Sequence, residues 1–377
     1  MVIIFLIIIG LGAVLLNLLI LFLWINAKRI YKKDLGSTYN PKISVIIPCK
    51  DTHSKFKDNV IAICNQEYGN YKILFITDSE KDSAYIELKN IKNKNFEFQL
   101  ETASNIKGCS GKIAALIKGI SLSQDVDVYV FADSDIKPHK HWLKYLVGNL
   151  NKENIGATTG YRWYFANNLK SYLISTWNLA SVLPFFYPAF NYTWGGSTAI
   201  KKTLFEKLEI ADKWKKGFAD DLILTEAIKN AGYIIKFVPK CLIKNSSDES
   251  VNFLKWGTRQ FTWVKWYYPS AWLKSFIRLA GVKILIFIGI FLLLYGYTIP
   301  GLLMISTFFI EIIYGYQAIS TVKKLMLYPK KQIGSSLIFA LLMPFALFVN
   351  LFNYIGSAVT KEVTWCERKY RKKDVKR

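Results

Sequence analysis

The first 26 residues of the chain are almost wholly apolar and carry no charged side chain. About 20 apolar residues are enough for a helix to cross the hydrocarbon core of a bilayer. The segment lacks the positive start and the small-residue cleavage site of a signal peptide. We therefore predict an N-terminal transmembrane helix over residues 1–27.

Further apolar stretches lie near the C-terminus. Residues 284–299 and 302–319 meet at a Gly-Tyr-Thr-Ile-Pro-Gly turn and predict a transmembrane hairpin. Residues 333–359 are basic on both flanks and contain Pro344 near the middle. This pattern favours a bent or re-entrant segment over a simple crossing. We expect the region 279–377 to be a transmembrane or re-entrant region that ends in a cytosolic basic tail.

The distribution of the basic residues predicts the orientation of the chain in the membrane. No Lys or Arg precedes the first apolar segment, and four follow shortly after it, beginning at Lys28. By the positive-inside rule the N-terminus lies outside and the next part of the chain lies in the cytoplasm. The formal net charge is +23, but many basic residues sit beside apolar segments rather than in one stripe. We therefore expect a membrane surface as partner and no nucleic acid.

Between residues 28 and 250, short β-branched apolar runs alternate with helix-like stretches. The runs are residues 43–48, 71–77, 126–132 and 232–238, and helical spacing is clearest over residues 55–66 and 112–121. This alternation predicts an α/β domain with a mostly parallel sheet, whose ligands bind at the carboxyl ends of the strands.

Residues 171–200 are uncharged, but Pro184 and Pro188 disfavour a spanning helix there. A single crossing at this point would also separate Asp133 from Asp221. We expect this segment to lie on or near the membrane surface.

Carboxylates follow two of the predicted strands. Asp78 comes after the second run, and the third ends in Phe-Ala-Asp133-Ser134-Asp135. An Asp-x-Asp pattern at a strand end supplies hard oxygen ligands where a divalent ion and a diphosphate can meet. The alternative is an Asp-rich turn without a ligand.

Two later motifs also carry chemistry. Trp194-Gly195-Gly196-Ser197 is the first, and Asp220-Asp221 before a helix-like stretch is the second. A helix N-terminus stabilises an ionised carboxylate, which suits a general base. The alternative is that one of the two aspartates only caps the helix.

Residues 251–278 predict amphipathic helices at the membrane surface. Trp256, Trp263 and Trp266 fall near one helix face, with Lys255, Arg259 and Lys265 interleaved. Tryptophan and basic residues both prefer the headgroup layer. A plain membrane anchor is the alternative for the tryptophans.

Taken in order, the segments ISVIIPCKD, Asp78, GCSGK, FADSD, WGGS, FADDL and RQFTW resemble glycosyltransferase family 2. They cover residues 43–263. The branch they resemble is that of the ceramide glucosyltransferases and related bacterial glycolipid synthases. The resemblance implies a nucleotide-sugar-binding domain of the GT-A type and a divalent metal, Mn2+ or Mg2+.

The resemblance also implies roles for individual residues. Asp133 and Asp135 correspond to the metal ligands, and some ceramide-type members keep only the first of them. In the mechanism that we expect, the segment Trp194, Gly195, Gly196 and Ser197 forms part of the lipid acceptor site. Donor binding is implied for Pro48, Asp51, Asp78, Lys112, Asp133 and Ser134.

Catalysis is implied for four residues. Asp221 corresponds to the catalytic base, and Asp220 stands where Glu is more usual. Arg259 and Trp263 match the ends of the Gln/Arg-x-x-Arg-Trp motif. Thr262 stands where an Arg is expected, and Lys265 or Arg259 was the candidate to replace that cation at the leaving diphosphate.

These expectations combine into an inverting transfer of a sugar from a UDP-sugar to the hydroxyl of a membrane lipid resembling ceramide or diacylglycerol. Three alternatives stay open: a processive polysaccharide synthase, a polyprenyl-phosphate glycosyltransferase and a non-catalytic scaffold. The sequence identifies neither the sugar, nor the lipid, nor the oligomeric state.

Overall fold

The structure is a computed structural model that describes residues 1–31, 39–92, 96–245, 252–365 and 368–372. The chain divides into two compact units. A helical unit consists of Met1–Lys33, Tyr164–Phe186 and Val251–Thr360. A sheet unit consists of Asp34–Trp163, Tyr187–Ser250 and Lys361–Arg377.

The sheet unit is built on one eight-stranded sheet with the strand order β3-β2-β1-β4-β7-β6-β8-β5. Its strands are β1 (Ile43–Pro48), β2 (Tyr71–Thr77), β3 (Gln99–Thr102), β4 (Val128–Ala132), β5 (Ile136–Lys137), β6 (Ile155–Trp163), β7 (Ser197–Lys201) and β8 (Ile234–Asn245). A separate two-stranded hairpin is formed by β9 (Glu362–Trp365) and β10 (Arg368–Arg371).

Parallel pairing dominates the half of the sheet that is formed by β1, β2, β3 and β4. Strand β1 pairs in parallel with β2 and with β4, and β2 pairs in parallel with β3. Strand β7 is antiparallel to both β4 and β6. Every residue of β4 is buried, as expected for a continuous apolar run covered on both faces. The predicted α/β fold with a mostly parallel sheet is confirmed.

Helices cover the sheet and complete its core. They are α2 (Phe56–Cys64), α3 (Ser83–Lys92), α4 (Gly111–Ser121), α5 (Trp142–Val147), α7 (Lys202–Lys207), α8 (Ile210–Trp214) and α9 (Asp220–Asn230). One buried cluster joins Ile46 of β1, Leu116 of α4, Phe131 of β4 and Trp214 of α8. This packing fixes the N-termini of α4 and α9, where the candidate site lies.

The helical unit contains seven α-helices within the described residues. They are α1 (Val2–Tyr31), α6 (Leu169–Ala180), α10 (Phe253–Tyr267), α11 (Pro269–Leu294), α12 (Thr298–Leu325), α13 (Lys330–Ile333) and α14 (Ser336–Val359). A short 3-10 helix, Leu183–Phe186, follows α6.

Among the described residues, four stretches are long and apolar enough to span a membrane: Val2–Ala27, Pro269–Leu294, Thr298–Leu325 and Lys330–Val359. The first agrees with the predicted N-terminal span. The second begins at Pro269, within the region 251–278 that was predicted to be interfacial, and ends at Leu294 rather than at residue 299, and the third extends the predicted span 302–319 at both ends. The fourth contains α14, a continuous helix with Pro344 in its interior, and its path through the bilayer stays a prediction. The uncharged segment 171–200 forms no helix that is long enough to span a bilayer. This agrees with the prediction that the segment is not a transmembrane helix.

A buried ion pair ties three helices of this unit together. Lys283 Nζ of α11 lies 2.5 Å from Glu311 Oε2 of α12, and both side chains are 1% exposed. The same ammonium donates to the Pro344 carbonyl of α14 at 3.3 Å and lies 4.5 Å from the centre of the Phe348 ring. A charge in such an environment needs its partner, because desolvation is costly and few other groups can compensate it.

We expect Lys283→Met to lower the free energy of unfolding by roughly 3–5 kcal/mol, because it leaves Glu311 as an uncompensated buried carboxylate. The double variant Lys283→Met/Glu311→Leu should recover most of this loss. Unfolding in detergent measures the effect, with Lys274→Met, an exposed lysine of the same helix, as matched control. Wild-type stability of the single variant would contradict the expectation.

Candidate active site

Lys112 joins two of the predicted carboxylates. Its Nζ lies 2.7 Å from Asp133 Oδ1 and 3.3 Å from Asp220 Oδ1. Lys112 is the second residue of α4, a helix capped by the Ser110 side chain, which accepts from the Ile113 N–H. Asp133 follows β4 directly, and Asp220 is the first residue of α9. Three segments far apart in sequence thus meet at one ammonium group.

The charges of this cluster perturb one another. Burial lowers the pKa of Lys112, but the carboxylates of Asp133, Asp220 and Asp221 outweigh burial and raise it above its usual range. Burial raises the pKa of Asp220. Burial, followed by the charge of Asp220, raises the pKa of Asp221 to about 7. A carboxyl group with such a pKa can accept a proton near neutral pH, as a general base must.

Asp221 is positioned by its own helix. Its Oδ1 accepts from the Leu222 N–H at 2.8 Å, and its carbonyl accepts from the Thr193 hydroxyl at 2.8 Å. Ala219, not an aspartate, occupies the N-cap position of α9. The interpretation of Asp220 or Asp221 as a mere N-cap is therefore wrong.

The first glycine of the Trp-Gly-Gly-Ser motif lies against the same cluster. A Cβ on Gly195 would come within 2.5 Å of Asp220 Oδ2 and 2.6 Å of Lys112 Nζ. Real Cβ atoms do not approach other atoms so closely. A side chain at this position would therefore displace the Asp220 carboxylate and the Lys112 ammonium from the places that they occupy.

We expect Gly195→Ala to lower transfer activity by about 10²-fold, since a displacement of about 1 Å in a catalytic cluster can cost that much. The melting temperature should change far less than the rate, because the added methyl displaces only side-chain ends. Gly69→Ala is the matched control, since a Cβ there meets no atom within 4 Å. Unchanged kinetics for Gly195→Ala would show that the Lys112–Asp220 geometry is unimportant.

The other residues of that motif are held by buried contacts. Trp194 donates its backbone N–H to Thr159 Oγ1 at 3.0 Å, and its ring lies edge-on to Tyr161. A Cβ on Gly196 would overlap the Trp194 ring at 2.3 Å. The Ser197 hydroxyl is buried and accepts from Trp142 Nε1 at 2.8 Å. These contacts position the motif, and its role at the lipid acceptor stays a prediction.

Asp78, which follows β2, is paired with two cations. Its Oδ2 lies 3.1 Å from Lys50 Nζ and 3.0 Å from Arg368 Nη2. Lys50 comes two residues after Pro48, the half-buried last residue of β1. Asp51 has a left-handed backbone with φ 56° and donates its N–H to Asp82. The structure brings the predicted first loop and Asp78 together at one end of the parallel strands.

The loop after β4 can contribute oxygen ligands to a metal. Asp133 is about a third exposed although Lys112 holds its Oδ1, and Asp135 is half-buried. The Ser134 carbonyl accepts from Asn59 Nδ2 at 3.2 Å, which anchors the loop. Within the described residues, no three His, Cys, Asp or Glu side chains form a metal site by themselves. This set fits a hard divalent ion that takes its remaining ligands from substrate phosphates.

Arg259 and Trp263 lie on α10 of the helical unit, so their part in catalysis stays a prediction. Thr262 is fully buried and donates its hydroxyl to the Thr258 carbonyl at 2.8 Å. Lys265 donates to carbonyls at the end of α14, including those of Ala358 at 3.0 Å and Thr360 at 3.1 Å. These contacts hold the Lys265 ammonium at the C-terminal end of α14, and the expectation that Lys265 replaces the missing arginine stays a prediction.

The sequence profile of glycosyl transferase family 21 matches residues 2–376, almost the whole chain. The chain belongs to glycosyltransferase family 21. Its predicted class is thereby confirmed, although the motif order had suggested family 2, and the ceramide glucosyltransferase branch stays a proposal.

The family 21 chain is also similar to individual proteins. It is 25% identical over 284 residues to a probable glycosyltransferase, YdaM, of Bacillus subtilis (strain 168). That alignment covers 72% of this chain and 66% of the relative, so the chain spans just under two thirds of the relative's length.

Two solved structures were compared with the chain. The mannosyltransferase PcManGT from Pyrobaculum calidifontis, in complex with GDP-Man and Mn2+, has a TM-score of 0.51 and 15% identity, and the match covers 94% of this chain and 98% of that one. A glucosyl-3-phosphoglycerate synthase from Mycobacterium tuberculosis, in complex with Mn2+, UDP and glucosyl-3-phosphoglycerate, has a TM-score of 0.38, 15% identity and coverage of 58% and 75%. At this identity the first likeness shows the fold alone.

Two residues that contact Asp78 have no role assigned from the sequence. Lys50 stands there only within the segment ISVIIPCKD, and Arg368 only within a basic cytosolic tail. The order Glu-Val-Thr-Trp before Arg-Lys-Tyr-Arg alternates as a short β-hairpin does. That alternation was the signal that could have indicated a folded tail.

Proposed function

We propose that this chain transfers a sugar from a nucleotide-activated donor, a UDP-sugar, to the hydroxyl group of a membrane lipid with inversion at the anomeric carbon. The observation that carries the proposal is the cluster in which Lys112 holds Asp133 and Asp220 beside Asp221. It places a carboxyl group with a raised pKa next to a charged region suited to a diphosphate. The four long apolar helices give a reason for the acceptor to be a lipid.

In this mechanism Asp221 takes the proton of the acceptor hydroxyl as its oxygen attacks the anomeric carbon. Lys112 keeps Asp220 and Asp133 in place, and its positive charge favours the ionised state of Asp221. Pro48, Asp51, Asp78 and Ser134 line the loops that would receive the nucleotide. Attack on the face opposite the leaving diphosphate inverts the configuration.

Asp133 and Asp135 would hold a divalent ion together with phosphate oxygens of the donor. When bound there, the ion would offset the negative charge that develops on the leaving diphosphate. The two carboxylates after β4 support this assignment, and so do the Mn2+ ions named for the similar structures. Mn2+ and Mg2+ are both consistent with oxygen ligands.

The acceptor we propose resembles ceramide or diacylglycerol. The Trp194–Ser197 motif adjoins the carboxylate cluster, and Arg259 and Trp263 of α10 are assigned to catalysis by the resemblance. The sheet unit would face the cytoplasm, as the basic residues after the first apolar segment predict.

The test is transfer of labelled sugar into a lipid extract from a panel of donors that includes UDP-glucose, UDP-galactose, UDP-N-acetylglucosamine and GDP-mannose. Purified protein in detergent is assayed with Mn2+ or Mg2+ and, in parallel, with EDTA. We expect label in a neutral glycolipid with one UDP-sugar, and none with EDTA.

Other products would identify the alternatives. Label in a long polymer would indicate a polysaccharide synthase, and label in an acid-labile phospholipid a polyprenyl-phosphate acceptor. Transfer from the GDP-sugar would show that the donor nucleotide is GDP and not UDP. No transfer from any donor, with a protein that remains folded, would contradict the proposal and favour a scaffold.

A further inference from the structure

The C-terminal hairpin is part of the sheet unit rather than a loose basic tail. Strands β9 and β10 pair with the register Arg368↔Trp365 and Tyr370↔Val363. The Tyr370 side chain is 5% exposed, and its ring centre lies 4.8 Å from that of Phe218. Phe218 precedes the Asp220–Asp221 pair by two residues, so the hairpin is anchored close to the catalytic segment in the chain.

The hairpin delivers one guanidinium group to the donor side of the site. Arg368 Nη2 donates to Asp78 Oδ2 at 3.0 Å and to Asn105 Oδ1 at 2.6 Å. A Cβ on Gly111 would lie 2.5 Å from Arg368 Nη1. The guanidinium therefore packs directly on the backbone at the start of α4, one residue before Lys112.

Two cations contact the same carboxylate on the donor side of the site. Asp78 pairs with both Lys50 and Arg368, while Asp51 and Asp82 also act on Lys50. The first turn of α4, Gly-Lys-Ile-Ala, contains no acidic residue. A guanidinium at the positive end of a helix is unfavourable alone, and an anion that contacts both groups offsets their repulsion.

Two of the other cations that the sequence offered near a diphosphate also have partners within their own units, and Arg259 stays a candidate. Lys112 contacts Asp133 and Asp220, and Lys265 caps α14. Arginine is also the better residue for this purpose, because its planar fork of five N–H donors matches phosphate oxygens.

We propose that Arg368 binds the diphosphate of the nucleotide donor, so that the C-terminal hairpin forms part of the donor site. The contact would supply a cation at the diphosphate in a chain that carries Thr262 where an arginine is expected. Asp78 and Asn105 orient the guanidinium group of Arg368. The contact between Nη1 of this group and Gly111 aligns the group with the N-terminus of α4. This inference rests on the proposed function, since it presumes a nucleotide-sugar donor.

The experiment measures binding of UDP, UMP and uridine, and of GDP, GMP and guanosine, to the full-length protein in detergent with Mn2+. We expect Arg368→Ala to bind the preferred diphosphate about 10- to 100-fold more weakly, as for loss of a hydrogen bond to a charged group. Binding of the corresponding nucleoside should stay within roughly twofold, because it lacks the phosphates that Arg368 contacts. Arg371→Ala is the matched control, since Arg371 lies on the same strand and pairs with Glu362.

Arg368→Lys is the second variant, which keeps the positive charge but loses the planar set of N–H donors of the guanidinium group. It should weaken diphosphate binding by a smaller factor, and it tests the inference should Arg368→Ala fail to fold. In transfer assays both variants should raise the donor KM and leave the acceptor KM unchanged.

Equal weakening of diphosphate and nucleoside would overturn the inference, because Arg368 would then act only through Asp78 or on the base. Unchanged diphosphate binding with a lower melting temperature would also overturn it, because the contact would serve only to hold the hairpin. Either result leaves the proposed function standing. A wild-type protein that binds no nucleoside diphosphate would instead contradict the proposed function, and this inference with it.

Discussion

Asp221→Asn is expected to lower the rate of sugar transfer by about 10²- to 10⁴-fold, the range that a general base contributes. The amide has nearly the shape of the carboxyl group but cannot accept the acceptor's proton. Nucleotide binding should change little, because Asp221 is assigned to the acceptor side of the reaction. Single-turnover transfer and nucleotide binding, measured on the same preparation, separate the two effects.

The pH dependence tests the same assignment. Burial and the neighbouring Asp220 raise the pKa of Asp221 to about 7, and only the ionised form is a base. The value of kcat/KM in wild type should therefore fall as pH decreases through this region, and Asp221→Asn should lack this limb. The other charged groups in the cluster are Asp220, Lys112 and Asp133, of which Lys112 opposes the rise.

Asp212→Asn is the matched control, since Asp212 is exposed and pairs with Lys215 on the surface. It should keep wild-type activity. A near-normal rate for Asp221→Asn would point to an acceptor that is already anionic, as a polyprenyl phosphate is, and would contradict the lipid-alcohol mechanism.

Lys112→Met should have the second large effect, a loss of about 10²- to 10³-fold, comparable to removal of one preorganised electrostatic donor. The variant leaves Asp133 and Asp220 without the cation that joins them at 2.7 and 3.3 Å. Without that cation the pKa of Asp221 should rise further, because the charge of Lys112 lowers it together with the hydrogen bond from the Leu222 N–H. The acidic limb of kcat/KM should therefore move to higher pH.

Lys118→Met on the same helix controls for the loss of a lysine in α4, and its rate and pH profile should match those of wild type. The shifted limb distinguishes an electrostatic role from a structural one, which would lower the rate without moving the profile. An unshifted limb in Lys112→Met would show that the cation does not tune Asp221.

The sequence predicted the elements whose signal is local. Strands β1 and β2 begin and end where their apolar runs do, at Ile43–Pro48 and Tyr71–Thr77. Strand β6, Ile155–Trp163, was missed although every residue in it is buried. Its Gly-Ala-Thr-Thr-Gly core is small and polar, and its burial depends on pairing with β7 and β8. Such pairing is a tertiary effect that periodicity does not report.

The candidate site likewise has residues that the sequence predicts and contacts that it does not predict. The aspartates at strand and helix ends were predicted because topology alone places them at one edge of the sheet. The tight fit of Gly195 against Lys112 and Asp220 depends on side-chain packing and could not be read from spacing. Arg368 lies 290 residues from Asp78 in the chain, and a contact at that separation leaves no trace in a single sequence.

The contact between Arg368 and Asp78 also constrains the route of the polypeptide through the bilayer. The chain leaves the sheet unit after Ser250 and re-enters it at Lys361. Three of the four candidate spans, those containing α11, α12 and α14, lie between these points. If the sheet unit lies on one side of the bilayer, a chain that leaves and re-enters it crosses the bilayer an even number of times, so we expect at most two of these three helices to span. A reporter fused to the C-terminus is then expected in the compartment that holds Asp133 and Asp221, and a reporter found on the opposite side would contradict this expectation.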